Sequence, residues 1–212
     1  MVDEVSELDL PPNVIDLLVN EWNITRLHPP QAEALPIALS GENLLLAIPT
    51  ASGKSLVAYL AIIQRILVDM PGSRAFYLVP LKALASEKVE ELREAGESLG
   101  FTVGMAVGDR SGETVSLDQA DVIVATSEKF DSLMRNRDGF LNQVSIVVAD
   151  EVHLIHDQSR GPTMEVNLAR VKHERPDAQI IALSATVGNA DEIADWLQAK
   201  KIQSDWRPVV LR

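Results

Sequence analysis

Short runs of consecutive apolar residues, rich in β-branched side chains, alternate along the chain with longer segments whose apolar positions recur every three or four residues. The runs at 44–48, 75–79, 102–107, 122–125, 145–149 and 180–183 predict six strands. Most are apolar at every residue rather than every second one, as expected of parallel strands covered on both faces. Helical periodicity predicts helices at 30–39, 54–68, 81–99, 127–135, 162–172 and 190–199, with Ser127 and Asn189 as N-caps and Gly100 as a stop. The alternation implies an α/β fold, a parallel sheet with helices on both faces joined by right-handed crossovers. Ligands of such sheets gather at the carboxyl ends of the strands. The polar clusters at 49–55, Pro80-Leu81-Lys82, Gly108-Asp109, Thr126, 150–153 and Ser184-Ala185-Thr186 all follow predicted strands, so one edge of the sheet carries the chemistry.

Composition narrows the class. The 212 residues are 46% hydrophobic, enough for a sizeable core, and include no cysteine, which excludes disulfides and thiolate metal sites. No apolar stretch approaches the ~18 residues that span a bilayer, and the acidic start Met1-Val2-Asp3-Glu4 is unlike a secretory signal. The expectation is a cytoplasmic monomer that meets no membrane. A net charge of −12 favours solubility and leaves a nucleic-acid partner to a local basic groove or to partner domains. No repeat or low-complexity tract interrupts the pattern. The segment from Gly108 to Glu113 reads as a surface loop, and 200–212 loses helical periodicity and ends in Trp206-Arg207-Pro208-Val209-Val210-Leu211, which reads as a strand leaving the domain.

The apolar run from Leu44 breaks at Ile48-Pro49-Thr50-Ala51-Ser52-Gly53-Lys54-Ser55 and passes into a helical pattern. Backbone N–H groups of such a loop, and the positive end of the next helix, surround phosphate oxygens. Lys54 adds a charge near the β/γ-phosphates of a nucleotide, and the Ser55 hydroxyl suits Mg²⁺. Ile48 stands where the strict pattern has its first glycine, so placement between strand and helix carries the reading. The strand at 145–149 runs into Asp150-Glu151-Val152-His153. Adjacent carboxylates beside a phosphate loop can divide the work, Asp150 holding Mg²⁺ through water and Glu151 orienting or deprotonating the attacking water. The alternative of a metal hydrolase site built from Asp150, His153, His156 and Asp157 needs further ligands, and the only other histidines are His28 and His173.

These motifs, with Ser184-Ala185-Thr186, resemble motifs I, II and III of the DExH-box superfamily two helicases. Pro29-Pro30-Gln31-Ala32-Glu33-Ala34, Val79-Pro80-Leu81-Lys82-Ala83-Leu84-Ala85, Arg160-Gly161-Pro162-Thr163 and the run 183–189 are similar to the superkiller-like branch, closest to archaeal DNA repair helicases of the helicase 308 family. The resemblance covers essentially the whole chain. It implies a RecA-like P-loop domain over 29–199, preceded by a lead-in at 1–28 and followed by an exit segment, 200–212, toward an absent second motor domain. It implies ATP and Mg²⁺, with Gln31 reading the adenine edge and Ile48, Pro49, Thr50, Ala51, Ser52, Gly53, Lys54 and Ser55 forming the cradle. His153, Ser184, Ala185 and Thr186 would couple that site to nucleic acid. Pro80, Leu81, Lys82 and Leu84 (motif Ia) with Thr126, Glu128 and Lys129 (motif Ib) would line the track of one strand.

The implied function is the first motor domain of an ATP-dependent 3′-to-5′ DNA helicase acting on single-stranded or forked DNA, with RNA as the rival substrate. A nucleotide-dependent binding module without turnover is the rival from another class. Three residues depart from the family pattern: Ala51 for a glycine, Ile48 for a smaller residue, and His28 for an aromatic, which leaves the adenine's stacking partner open. No second strand–helix series and no arginine-bearing motif follows Thr186. An arginine finger is worth ~10³–10⁵ in rate where measured in other nucleotide hydrolases. These residues alone are therefore expected to bind ATP weakly, hydrolyse it poorly and unwind nothing.

Overall fold

A computed structural model describes residues 3–50, 52–108, 117–136, 139–157 and 161–208. Ala51, the loop positions 109–113, Arg160, the side chain of His156 and the end of the exit segment at 209–212 lie outside the described set. The described elements are α1 (Pro12–Asp16), α2 (Pro29–Leu39), β1 (Leu44–Ala47), α3 (Lys54–Gln64), β2 (Arg74–Val79), α4 (Lys82–Leu99), β3 (Val103–Ala106), β4 (Val122–Thr126), α5 (Ser127–Asn136), β5 (Val144–Ala149), α6 (Gly161–Glu174), β6 (Gln179–Ser184), α7 (Ala190–Leu197) and β7 (Lys200–Gln203). The strands form one seven-stranded sheet in the order β3-β4-β2-β5-β6-β1-β7, and every pairing is parallel.

Side-chain alternation sorts the sheet's two faces. Leu44, Leu46, Tyr77, Val79, Val122, Val124, Ile146 and Val148 pack with residues of α2, α3 and α4. Leu45, Phe76, Leu78, Ile123, Ala125, Val147 and Ala149 pack with α5, α6 and α7. Both faces are covered, which is why the strands read as unbroken apolar runs. All six predicted strands and all six predicted helices are present, with ends shifted by a few residues. The helix expected to reach residue 68 changes hydrogen-bond register after Gln64 and finishes as a π-type turn over Arg65–Asp69. Gly100, in a left-handed conformation (φ 84°), caps α4 as expected.

Three expectations need correction. The start of the exit segment, for which no element was expected, belongs to the sheet: Lys200–Gln203 adds an edge strand parallel to β1. Only Ile202 of β7 is buried, and Lys200 and Lys201 give the open edge the charge that discourages further pairing. The cap of α5 is Thr126, whose hydroxyl accepts the Lys129 N–H at 3.4 Å, while Ser127 is already helical and buried. The lead-in at 1–28, where no strand or helix was predicted, holds α1 and a π-type turn at Leu17–Glu21, and places Val14, Leu17, Leu18 and Leu27 in the core beside α2 and α3.

Gly161 begins α6 against the turn that follows β5. A β-carbon there would lie 1.9 Å from the Ile155 carbonyl oxygen, a backbone atom that cannot swing aside. Gly161→Ala is expected to destabilise the domain by about 1–3 kcal/mol, read as a lower midpoint in urea unfolding.

Candidate active site

Strand order assembles the site. β6 separates β1 from β5, so the loop after β1 and the acidic pair after β5 flank Ser184 at the end of β6. Ile48 N–H donates to the Ser184 carbonyl at 3.1 Å, and Asp150 N–H donates to the Leu78 carbonyl at 2.9 Å. Pro49 and Ser52 are buried and Thr50 is exposed. The Ser52 hydroxyl donates to the Trp206 carbonyl at 3.3 Å.

Gly53 is the residue before α3 and sits at φ 75°, in the left-handed region. That conformation favours glycine, and a β-carbon there would also lie 2.4 Å from Gln31 Nε2 and push the amide aside. Gln31 is buried; its Nε2 donates to the Gly53 carbonyl at 2.9 Å and its Oε1 accepts the His28 N–H at 2.8 Å. One N–H and one lone pair of the amide remain beyond these bonds. The His28 ring packs on Trp206 with centroids 4.5 Å apart, so a residue of the exit segment lies beside the position where the stacking partner was left open.

Lys54, with its side chain 8% exposed, places Nζ 3.4 Å from Glu151 Oε2. Glu151 has a left-handed backbone (φ 52°), strained for a residue with a side chain, and its N–H donates to Asp150 Oδ1 at 2.9 Å. Asp150 Oδ2 accepts the Tyr77 hydroxyl at 2.9 Å. Burial pushes the Asp150 carboxyl above the usual range and the Glu151 charge adds to this, against the Tyr77 hydroxyl, the Lys54 charge and the Glu151 N–H. His153 Nδ1 lies 3.4 Å from both Glu151 Oε2 and the Ala185 N–H. A neutral Nδ1 accepts from Ala185 and a protonated one donates to Glu151, so this nitrogen serves one partner at a time. The Ser184 hydroxyl donates to the Ala185 carbonyl at 2.7 Å, and Thr186 is exposed.

Thr50, Gly53, Lys54, Ser55, Asp150 and Glu151 line a cleft of about 540 Å³ whose opposite wall is Leu84, Glu87, Lys88 and Glu91 of α4. The motif Ia and Ib residues are not in that group, Leu84 excepted. Leu81, Lys82 and Glu128 are exposed at the ends of the paired strands β2 and β4, with Pro80, Leu84 and Lys129 half-buried and Thr126 buried beside them. Sequence reasoning missed Tyr77, Tyr59, Lys88, Glu91 and Trp206. Tyr77 passed as one more apolar strand residue, and only its hydroxyl, in a strand next to the one that ends in Asp150, could have flagged it. Among the described residues no group of three or more His, Asp or Glu side chains is arranged to hold a metal ion by itself. No helix of the described residues is long and apolar enough to cross a membrane.

Residues 28–193 match the family model for the DEAD/DEAH box helicase. The chain belongs to that family. It is 49% identical over 210 residues to the ATP-dependent DNA helicase Hel308 of Pyrococcus horikoshii, a match covering 99% of this chain and 28% of the relative. The Hel308 proteins of Methanocella arvoryzae (48% identity, 99% of this chain, 28% of the relative) and Thermococcus kodakarensis (51%, 93% and 17%) are similar to it as well. The chain thus spans between 17% and 28% of these relatives' length. A crystal structure of the DUF1998 helicase MrfA bound to DNA has the same fold, with a TM-score of 0.76 over 92% of this chain and 29% of the other at 22% identity. The DEAD/DEAH box domain is therefore a RecA-like α/β domain, in a family whose members use a nucleotide.

The buried Asp150 charge is costly to the fold. Its raised pKa means that ionisation destabilises the domain above that pKa, and that the penalty is gone once the pH falls below the ordinary value of 3.8. Asp150→Asn is expected to raise Tm near pH 7, by roughly 2–4 °C per kcal/mol relieved, with the gain closing as the pH approaches 3.8. Thermal melts of both proteins across that range check it.

Proposed function

We propose that the chain is the N-terminal motor domain of an ATP-dependent DNA helicase, moving 3′ to 5′, which grips ATP-Mg²⁺ and one DNA strand. The observation that carries the reading is the convergence of Lys54, Asp150 and Glu151 from two strands on one cleft. Lys54 and the loop N–H groups meet the phosphates, and α3 directs its N-terminal end at the same charge. Gln31 has a donor and an acceptor left for an adenine edge.

Mg²⁺ binds few protein oxygens and keeps several waters, so a site without three protein carboxylates or histidines still suits it. The donor set fits: a hydroxyl at Ser55 and a carboxylate at Asp150 whose oxygens already accept one hydrogen bond each, consistent with contact through water. The ion would neutralise charge on the phosphate oxygens. Glu151 is held at the cleft by Lys54 and orients or deprotonates the attacking water. The relatives named ATP-dependent DNA helicases support DNA as the partner, and the exposed Leu81, Lys82 and Glu128 surface with Lys129 would carry backbone contacts that are largely independent of sequence. Hydrolysis by these residues alone is slow because transition-state charge needs an arginine from a second motor domain.

In the 212-residue chain, Trp206 fluorescence is expected to change on ATP binding, and Lys54→Ala to weaken that binding about tenfold or more, near the 1.5–3 kcal/mol of a charged hydrogen bond. An unchanged affinity would refute the phosphate loop. In a full-length protein carrying this domain, Glu151→Gln is expected to keep ATP binding and lose hydrolysis at least a hundredfold, as for loss of a general base. Stronger ATPase stimulation by single-stranded RNA than by single-stranded DNA would overturn the DNA assignment.

A further inference from the structure

Two phenols stand behind the metal side of the cleft. Tyr77 projects from β2 onto the α3 face of the sheet and is fully buried; its hydroxyl donates to Asp150 Oδ2 at 2.9 Å. Tyr59 lies one turn after Ser55 on α3, its ring 5.8 Å from that of Tyr77, and the Ser55 hydroxyl faces both phenols. The Tyr59 hydroxyl donates to Glu91 Oε2. That carboxylate also accepts from Lys88 Nζ at 3.1 Å, and the Lys88 ammonium sits 6.0 Å from the Tyr59 ring centre. Burial holds both phenols protonated well above neutral pH, so they are O–H donors under all ordinary conditions.

We propose that Tyr77 and Tyr59 are positioning residues for the metal side of the nucleotide site. Tyr77 fixes the rotation of the Asp150 carboxylate, and Tyr59, anchored by Glu91 and Lys88, holds the Ser55 side of the pair against α4. The inference rests on the ATP-Mg²⁺ reading above. Asp150 would otherwise have one oxygen unbonded in a buried place and free to turn away from the metal's water. Outer-shell hydrogen bonds of this kind orient ligands, and removing one typically costs 10–100-fold in metal affinity.

The test measures affinity for a fluorescent ATP analogue first in EDTA and then across a Mg²⁺ titration, for the parent chain, Tyr77→Phe and Tyr59→Phe. Tyr77→Phe is expected to keep the metal-free affinity and to raise the Mg²⁺ concentration for half effect by about tenfold. Tyr59→Phe is expected to shift it the same way and less. Superimposable Mg²⁺ curves for all three proteins would overturn the inference, as would equal losses with and without metal, the sign of a merely structural role. If Tyr77→Phe does not fold, Tyr59→Phe decides alone. A parent whose affinity ignores Mg²⁺ would instead refute the metal reading of the whole site, and this inference with it.

Discussion

Lys54 and Glu151 are 97 residues apart in sequence, and their ion pair exists because a single strand, β6, lies between the strands that deliver them. That constraint organises the rest of the structure. β1 brings the loop that ends in Gly53-Lys54-Ser55 to one side of Ser184 and β5 brings the acidic pair to the other, while β2 and β4, next along the sheet, present Leu81, Lys82 and Glu128 on the same edge. A parallel sheet puts every strand's carboxyl end on one side, so strand order alone decides which motifs become neighbours. The Lys54–Glu151 cleft and the exposed Leu81, Lys82 and Glu128 surface meet at the β2–β5 pairing, where Leu78 is paired with Ala149 and its carbonyl accepts the Asp150 N–H.

The pair is poor structural glue. Desolvating a lysine and a carboxylate costs several kcal/mol per ion, which their attraction only partly offsets. Asp150, buried and pushed toward its protonated form, and Glu151, in a left-handed backbone conformation, add further cost in the same few residues. The two apolar clusters, one on each face of the sheet, stabilise the fold enough to carry that local strain. Stability and the proposed chemistry are therefore separated in space: the strands' inner residues hold the domain, and the costly charges sit on the first residues beyond their carboxyl ends.

The same separation explains what was legible in the sequence. Burial on both faces produces unbroken apolar runs, so β1 to β6 could be read directly, and the motifs could be placed at their ends. β7 was not legible, because an edge strand with one buried residue, Ile202, has neither an apolar run nor a clear alternation. Thr126 was passed over as a cap because the helix begins immediately at the strand's end, with no loop residue to supply one. Neither phenol could be assigned to the site in advance. A tyrosine in an apolar strand packs its ring like any core residue, and what its hydroxyl meets depends on the register between β2 and β5, which the sequence does not print. Trp206 was hidden for a related reason, since its place beside His28 follows from β7 docking on β1.

Register also accounts for the reach of Tyr77. Along β5, Ile146 and Val148 face α3 while Val147 and Ala149 face the opposite helices, so a strand continued by one residue turns Asp150 to the α3 side. Tyr77 faces that side from the neighbouring strand. A slip of one residue in either strand would put the carboxylate and the hydroxyl on opposite faces of the sheet. The carboxylate assigned to Mg²⁺ and its hydrogen-bond donor are thus set by the alternation that builds the core, and the hydrophobic pattern that makes the fold also aims its most expensive charge.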